Sequence, residues 1–286
     1  MGAPMAANLV RAGYAVTGYD LAGSQADKLA ADGGHAAGSI AEAVADAEIV
    51  ITMLPADPQV EAAVFGDGGI LAHAAPGTLL IDMSSVTPRI AVRIARAAGE
   101  AGLRALDAPV SGGEAGAIEG VLSIMAGGTP EDFEAAKPVL SAMGTTVVHV
   151  GPAGSGQTVK VANQLIVAVN IQACAEAVVF LEKSGVDLPA ALDVINGGLA
   201  GSTVLTRKRA NFTSRDFAPG FRLDLHHKDM GNLLAAAREV GAPVPSGAMV
   251  SEFITALRNA GDGGLDHSAL LRNLDRINGK ALLCRR

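Results

Sequence analysis

Short apolar runs alternate with helical patterns through the first half of the chain, and at Gly151 to Gly154 the alternation stops. No other feature constrains the fold as much. MGAPMAANLVRAGYAVTGYD opens with an amphipathic helix from Met1 to Val10, with Pro4 in its first turn. A Gly13-Tyr14 turn and an apolar run ending on Asp20 follow. SQADKLAADG and SIAEAVADA read as helices, the second capped by Ser39, and DPQVEAAVFG and TPRIAVRIARAAGEAG as two more. EIVITMLP, TLLIDMS, LRALDAPV, VLSIMAGG and TTVVHVG read as strands. This rhythm predicts an α/β domain built on an open, mostly parallel, doubly wound sheet. Strand ends at Asp20, Leu54, Asp82 to Ser84 and Asp107 to Ser111 should then line one carboxyl edge, where ligands sit in this architecture.

From Gly154 onward every segment is helical in pattern, beginning with GSGQTVKVANQLIVAVNIQACAEAVVFLEKSG. The expected domains are residues 1–152, which bind nucleotide, and an all-α domain of residues 153–286 for substrate and oligomerisation. The cleft between two such domains is the default active site. The 286 residues suffice for two ordinary domains, and the net charge of -7 argues against a nucleic-acid or anionic-membrane partner. Polar residues Lys160, Asn163, Gln164, Asn170, Gln172 and Glu176 interrupt the apolar run from Val159 to Phe180, which favours a core or subunit-contact helix over a membrane span. Cys174 and Cys284 suggest neither a disulfide framework nor a metal site. With no leader-like start, a cytoplasmic setting is expected.

Several residues are candidates for chemistry. Ser111, Gly112 and Gly113 follow a strand, where a small carboxylate can approach backbone amides and a hydroxyl; a plain turn is the alternative. Lys160 and Gln164 share one helix face, with Asn163 beside it. A desolvated lysine there has a lowered pKa and can pass a proton to a carbonyl oxygen, whereas a solvated lysine at a helix start does nothing of the kind. Lys228 and Asp229 form the next charged cluster. The adjacent His226 and His227 point about 100 degrees apart on a helix and make no metal site. Phe217 and Phe221 either close the cleft or pack in the core.

The stretches GAPMAANL, ITMLP, IDMSS, LDAPVSGGEAGAIEG, GSGQTVKVANQ and FRLDLHHKDM, in that order over essentially the whole chain, closely resemble the β-hydroxyacid dehydrogenase family. The resemblance implies a Rossmann-like nucleotide domain followed by an all-α domain, and a nicotinamide-dependent oxidoreductase. It implies that Ser111, Gly112 and Gly113 bind the substrate carboxylate. Lys160 would be general acid in reduction and base in the reverse reaction, and Gln164 stands where the family often carries asparagine. Met1, Gly2, Asp20, Met53, Leu54, Pro55, Thr87, Phe221 and Lys228 fall at cofactor positions. The substrate implied is a small hydroxyacid or semialdehyde, D-glycerate and tartronate semialdehyde first and 3-hydroxyisobutyrate second. A non-catalytic nucleotide-binding homologue and a decarboxylating sugar-acid dehydrogenase are the other classes. Asp20 followed by Leu21 favours NAD over NADP, because a carboxylate accepts from the ribose 2'-hydroxyl and repels a 2'-phosphate. A homodimer or homotetramer is expected.

Family members begin with a strand and GLGxMG, and Met1 and Gly2 match the last two positions of that turn. The natural protein is therefore expected to start about a dozen residues upstream, and this form to bind dinucleotide weakly for lack of one strand and two glycines.

Overall fold

The computed structural model describes residues 1–279, so Cys284 lies outside the described residues. The chain forms two compact units, Met1–Lys160 and a second that begins at Val161.

Strands of the first unit are β1 (Thr17–Gly18), β2 (His35–Ala36), β3 (Ile49–Thr52), β4 (Leu79–Asp82), β5 (Arg104–Asp107), β6 (Val110–Ser111), β7 (Leu122–Gly127) and β8 (Gly144–Gly151). β1 and β2 pair in parallel as a separate two-stranded sheet. The other six form one sheet in the order β3-β4-β5-β7-β6, with β8 also on β7. Among the described residues, β1 and β3 each pair on one side only. β3, β4 and β5 are parallel, whereas β7 runs antiparallel to β5 and β6. That reversal has a local cause: only the short helix Gly113–Glu119 separates β6 from β7, too little chain for a parallel crossover.

β4 is buried throughout, and its alternate residues feed opposite layers. Leu79 and Ile81 pack with Met5, Leu106, Ile124 and Met143, while Leu80 packs with Val50, Val60, Ile90 and Ile94. Helices Gly2–Arg11, Ser24–Ala31, Asp57–Phe65 and Pro88–Glu100 form where the pattern predicts them, and Ser39 caps Ile40–Val44 by accepting from the Glu42 amide at 3.1 Å. Helix Pro130–Ser141 has no counterpart in the sequence reading. Thr129 caps it through the Asp132 amide, and internal Pro138 makes the segment look broken.

The second unit is helical: Leu188–Gly197, Thr203–Ser214, Leu223–Val240, Pro245–Leu257, a π-helical segment Arg258–Asp262, a 3-10 turn His267–Leu270 and Leu271–Ile277. Its core joins Ile171, Ala175, Leu192, Phe212, Met230, Ile254 and Leu270, and Phe217 belongs to it. The 29-residue helix Ser155–Lys183 is, among the described residues, the one long and apolar enough to cross a membrane by length and composition. Its Ala168, Ile171, Ala175 and Val178 are fully buried in the helical core.

Candidate active site

Register places Thr52, Asp82 and Asp107 side by side at the carboxyl ends of β3, β4 and β5. Asp82 Oδ1 accepts from the Thr52 hydroxyl at 2.7 Å and the Ser84 amide at 3.1 Å. The Ser84 hydroxyl accepts in turn from the Leu54 amide at 2.9 Å. Asp107 reaches further along the chain, taking the Gly154 amide on Oδ1 at 2.7 Å and the Gln157 amide on Oδ2 at 2.8 Å. Fully buried Gln157 donates to Ser84 O at 2.8 Å and accepts from the Val86 amide at 3.2 Å. Burial raises both carboxyls against the donors that pull them down, and Asp107 is pushed up to about 7.

Lys160 lies in the second turn of the long helix, and its ammonium donates to Val110 O at 2.7 Å. The side chain is buried, as the desolvated reading expects, and it stands beside the Ser111-Gly112-Gly113 stretch because Val110 immediately precedes it. Gly112 and Gly113 have φ of 142° and 66°, a left-handed backbone that favours glycine. A Cβ on Gly112 would also meet Leu122 at 3.0 Å.

The nucleotide candidates fall at the ends of several elements. Met1 precedes the Gly2–Arg11 helix, and a Cβ on Gly2 would rest 3.7 Å from Met53, so these residues adjoin. Leu54 is tied to Ser84, and exposed Pro55 follows it. Asp20 is exposed beyond β1, with one carboxylate oxygen held by the Ala22 amide at 2.8 Å; this carboxylate fits a ribose-hydroxyl acceptor. Thr87 donates its hydroxyl to Asp57 Oδ2 at 2.8 Å and its amide to Oδ1 at 3.1 Å, so it also fastens the start of Pro88–Glu100.

In the second unit, Gln164 donates to Asp229 Oδ2 at 2.6 Å and accepts from Asn163 at 2.8 Å. The Lys228 ammonium stands 3.0 Å from Asp229 Oδ1, so Gln164, Asp229 and Lys228 form one cluster. Phe221 packs against the rings of His226 and His267, with centroids 5.8 and 5.2 Å away. The two histidines face each other through Nδ1 at 3.1 Å, while His227, the next residue along the helix, is half-buried. Among the described residues no group of His, Cys, Asp or Glu has the makings of a metal site.

Residues 1–151 match the model of the NAD binding domain of 6-phosphogluconate dehydrogenase. Residues 154–274 match that of the NAD-binding domain of NADP-dependent 3-hydroxyisobutyrate dehydrogenase. The chain is 40% identical to 2-hydroxy-3-oxopropionate reductase of Escherichia coli K12, over 96% of this chain and 94% of that protein. The chain belongs to the β-hydroxyacid dehydrogenase family. It is 38% identical to NAD-dependent L-serine dehydrogenase of Pseudomonas aeruginosa, over 98% of this chain and 96% of that one. The structure of Mycobacterium tuberculosis 3-hydroxyisobutyrate dehydrogenase with L-serine superposes with a TM-score of 0.86 at 38% identity, covering 96% of this chain and 95% of the other. The protein is thus an NAD-dependent oxidoreductase that acts on a small hydroxyacid or its semialdehyde.

Asp82 and Asp107 were legible as strand ends; their roles as buried acceptors were not. Gln157 carried no signal, since a glutamine in a first helical turn has no periodicity of its own.

Proposed function

We propose that this chain reduces tartronate semialdehyde reversibly to D-glycerate, with Lys160 as the proton donor. The observation that carries the reading is the buried Lys160 ammonium held 2.7 Å from Val110 O, next to Ser111 and the glycines. When bound, NADH supplies a hydride to the carbonyl carbon. The Lys160 ammonium gives its proton to the carbonyl oxygen, and in oxidation the neutral amine takes the hydroxyl proton back. The Ser111 hydroxyl and the Gly112 and Gly113 amides receive the substrate carboxylate. Gln164, oriented by Asp229 and Asn163, would steer the substrate, and Lys228 and Phe221 would contact the cofactor. Asp20 would hold the ribose hydroxyls of the nucleotide, and Met1, Gly2, Met53, Leu54, Pro55 and Thr87 would contribute to the rest of the cofactor site.

The 40% identity to the E. coli reductase supports this substrate. L-serine and 3-hydroxyisobutyrate are the competitors, and they differ from D-glycerate at the carbon beside the carboxylate, in the group it carries and, for L-serine, in configuration. A site built to bond the hydroxyl rejects the methyl analogue strongly. The deciding experiment compares kcat/KM for tartronate semialdehyde with NADH against oxidation of L-serine and 3-hydroxyisobutyrate with NAD. A preference of about tenfold or more for the semialdehyde is expected; a preference for either competitor overturns the substrate, and NADH binding without turnover of any overturns the enzymatic reading of this chain.

A cytoplasmic homodimer or homotetramer completes the reading. The oligomer is supported by an apolar groove in the helical unit lined by Leu165, Ile166, Val169, Ala173, Leu192 and Leu199, with Ile166 66% exposed. A second copy of the chain is the occupant proposed for this face.

A further inference from the structure

Residues 107–110 and 157–160 form a closed ring within the first unit. Asp107 holds the Gln157 amide, the helix carries on to Lys160, and the Lys160 ammonium returns to Val110 O. We infer that Asp107 is a positioning residue for Lys160: by clamping the first turn of the lysine helix to the end of β5, it sets where the ammonium stands beside Ser111 and Gly112. The inference rests on the reading of Lys160 as proton donor.

An ordinary helix cap comes from the residue just before the helix and fixes only local backbone. Here the acceptor sits 47 and 50 residues away from the amides it holds, so the bonds couple strand to helix. From Gln157 to Lys160 the helix rises only about 4.5 Å, too short a span to absorb a shift at the clamp. The packing around the clamp leaves no slack. A Cβ on Gly156 would stand 2.3 Å from Met125 O and 2.7 Å from Asp107 O, and a Cβ on Gly127 would stand 2.6 Å from Asp107 Oδ1. The helix start therefore rests directly on the backbone of β5 and β7. Gln157 adds a second tie, to Ser84 and Val86 beyond β4. The charged group facing Asp107 from the neighbouring strand is Asp82, in register with it, and no cation is among the groups that shift Asp107. Ionised, Asp107 accepts both amides; protonated, one oxygen becomes a hydroxyl and one amide loses its acceptor.

The test uses the whole chain with NADH and tartronate semialdehyde, comparing Asp107→Asn, Asp107→Ala and the same-turn control Thr158→Val, whose hydroxyl bonds only within the helix, to Gly154 O. Displacement of the ammonium predicts kcat lowered about tenfold in Asp107→Asn and about 100-fold in Asp107→Ala, with NADH affinity within about twofold of wild type. Asp107→Asn, which keeps one acceptor and cannot titrate, should also lose the acid limb of kcat near pH 7 and show faster amide exchange at Gly154 and Gln157. Thr158→Val should match wild type. Wild-type kcat and an unmoved pH limb in folded Asp107→Asn, whatever its melting temperature, would overturn the inference and leave Asp107 a structural cap. Activity retained in Lys160→Ala would instead sink the proton-donor reading, while amide exchange in Asp107→Asn still reports whether the clamp holds the helix start.

Discussion

The strand ends of the first unit and the helices of the second keep buried carboxyls by opposite means. In the first, Asp82 and Asp107 at the strand ends are held by hydroxyl and backbone donors, and Asp82 Oδ2 has no hydrogen-bond partner among the described residues. In the second, Asp266 pairs with Lys208 at 2.8 Å, Asp275 with Arg215 at 3.1 Å, and Asp262 with Arg272 and Arg276. Parallel strand ends and the helix start above them bring amides together at fixed spacing, so a carboxyl can be buried there without a cation. Helices packed side by side use up most of their amides internally, so long basic side chains bridge to the carboxyls, and at Asp266 the amides of Gly220, Phe221 and Ser268 join Lys208. The protonation behaviour divides accordingly. Desolvation dominates at Asp82 and Asp107 and raises them, whereas at Asp266 burial is outweighed by His267, Lys208 and Ser268, and the carboxyl falls to about 2. Amide donors with no cation beside them leave Asp107 able to titrate near neutrality; a neighbouring cation keeps Asp266 ionised.

Four experiments break or sharpen this contrast. Lys160→Ala should lower kcat by about 10³-fold while the first unit stays folded, because the lost group bears chemistry rather than packing; steady-state kinetics beside a melting curve checks both. Lys208→Met should do the reverse. It strips a buried carboxylate of its cation and should cost roughly 3 kcal/mol of stability by urea unfolding, and an unchanged midpoint would mean that the ion pair is not what holds Asp266.

The pH dependence of stability should divide the same way. With a folded pKa near 7 against 3.8 unfolded, Asp107 binds its proton more tightly in the native state, so its contribution is fully present below about pH 4 and lost as pH rises through about 7. Asp266 has the opposite sign: its contribution is present above about pH 4 and lost as pH falls towards 2. Melting temperature followed across pH should show both arms, and Asp107→Asn should flatten only the upper one. The smallest effect on the fold is expected from Ile166→Asp. It should leave the monomer's stability within about 0.5 kcal/mol and shift light-scattering mass towards one chain; an unchanged mass would remove the second copy from this groove.

Much of the fold was legible because hydrophobic period is local. Val50, Leu80 and Leu106 mark buried strands, Ser39 marks a helix start, and the long helix declares itself in a long, largely apolar run with scattered polar residues. The reversal at β7 was not legible, since strand direction depends on how a short connection packs, and period 2 is the same either way. At the candidate site, Lys160, Ser111, Gly112 and Gly113 were marked by residue type and place, and Lys228 and Gln164 by their helix face. Asp229 read only as part of a charged cluster with Lys228, yet it accepts from Gln164. The His226 and His267 pair was missed because the nearer neighbour in sequence, His227, points elsewhere.

By itself the sequence determined most of the order of elements, the carboxyl edge shared by Thr52, Asp82 and Asp107, and the family, all of which follow from local period and residue chemistry. Only the tertiary structure decided that Asp107 and Gln157 hold the lysine helix to two strand ends, those of β5 and β4. Those contacts join residues 47 to 73 positions apart, and a buried donor's choice of acceptor depends on which groups folding has removed from water together.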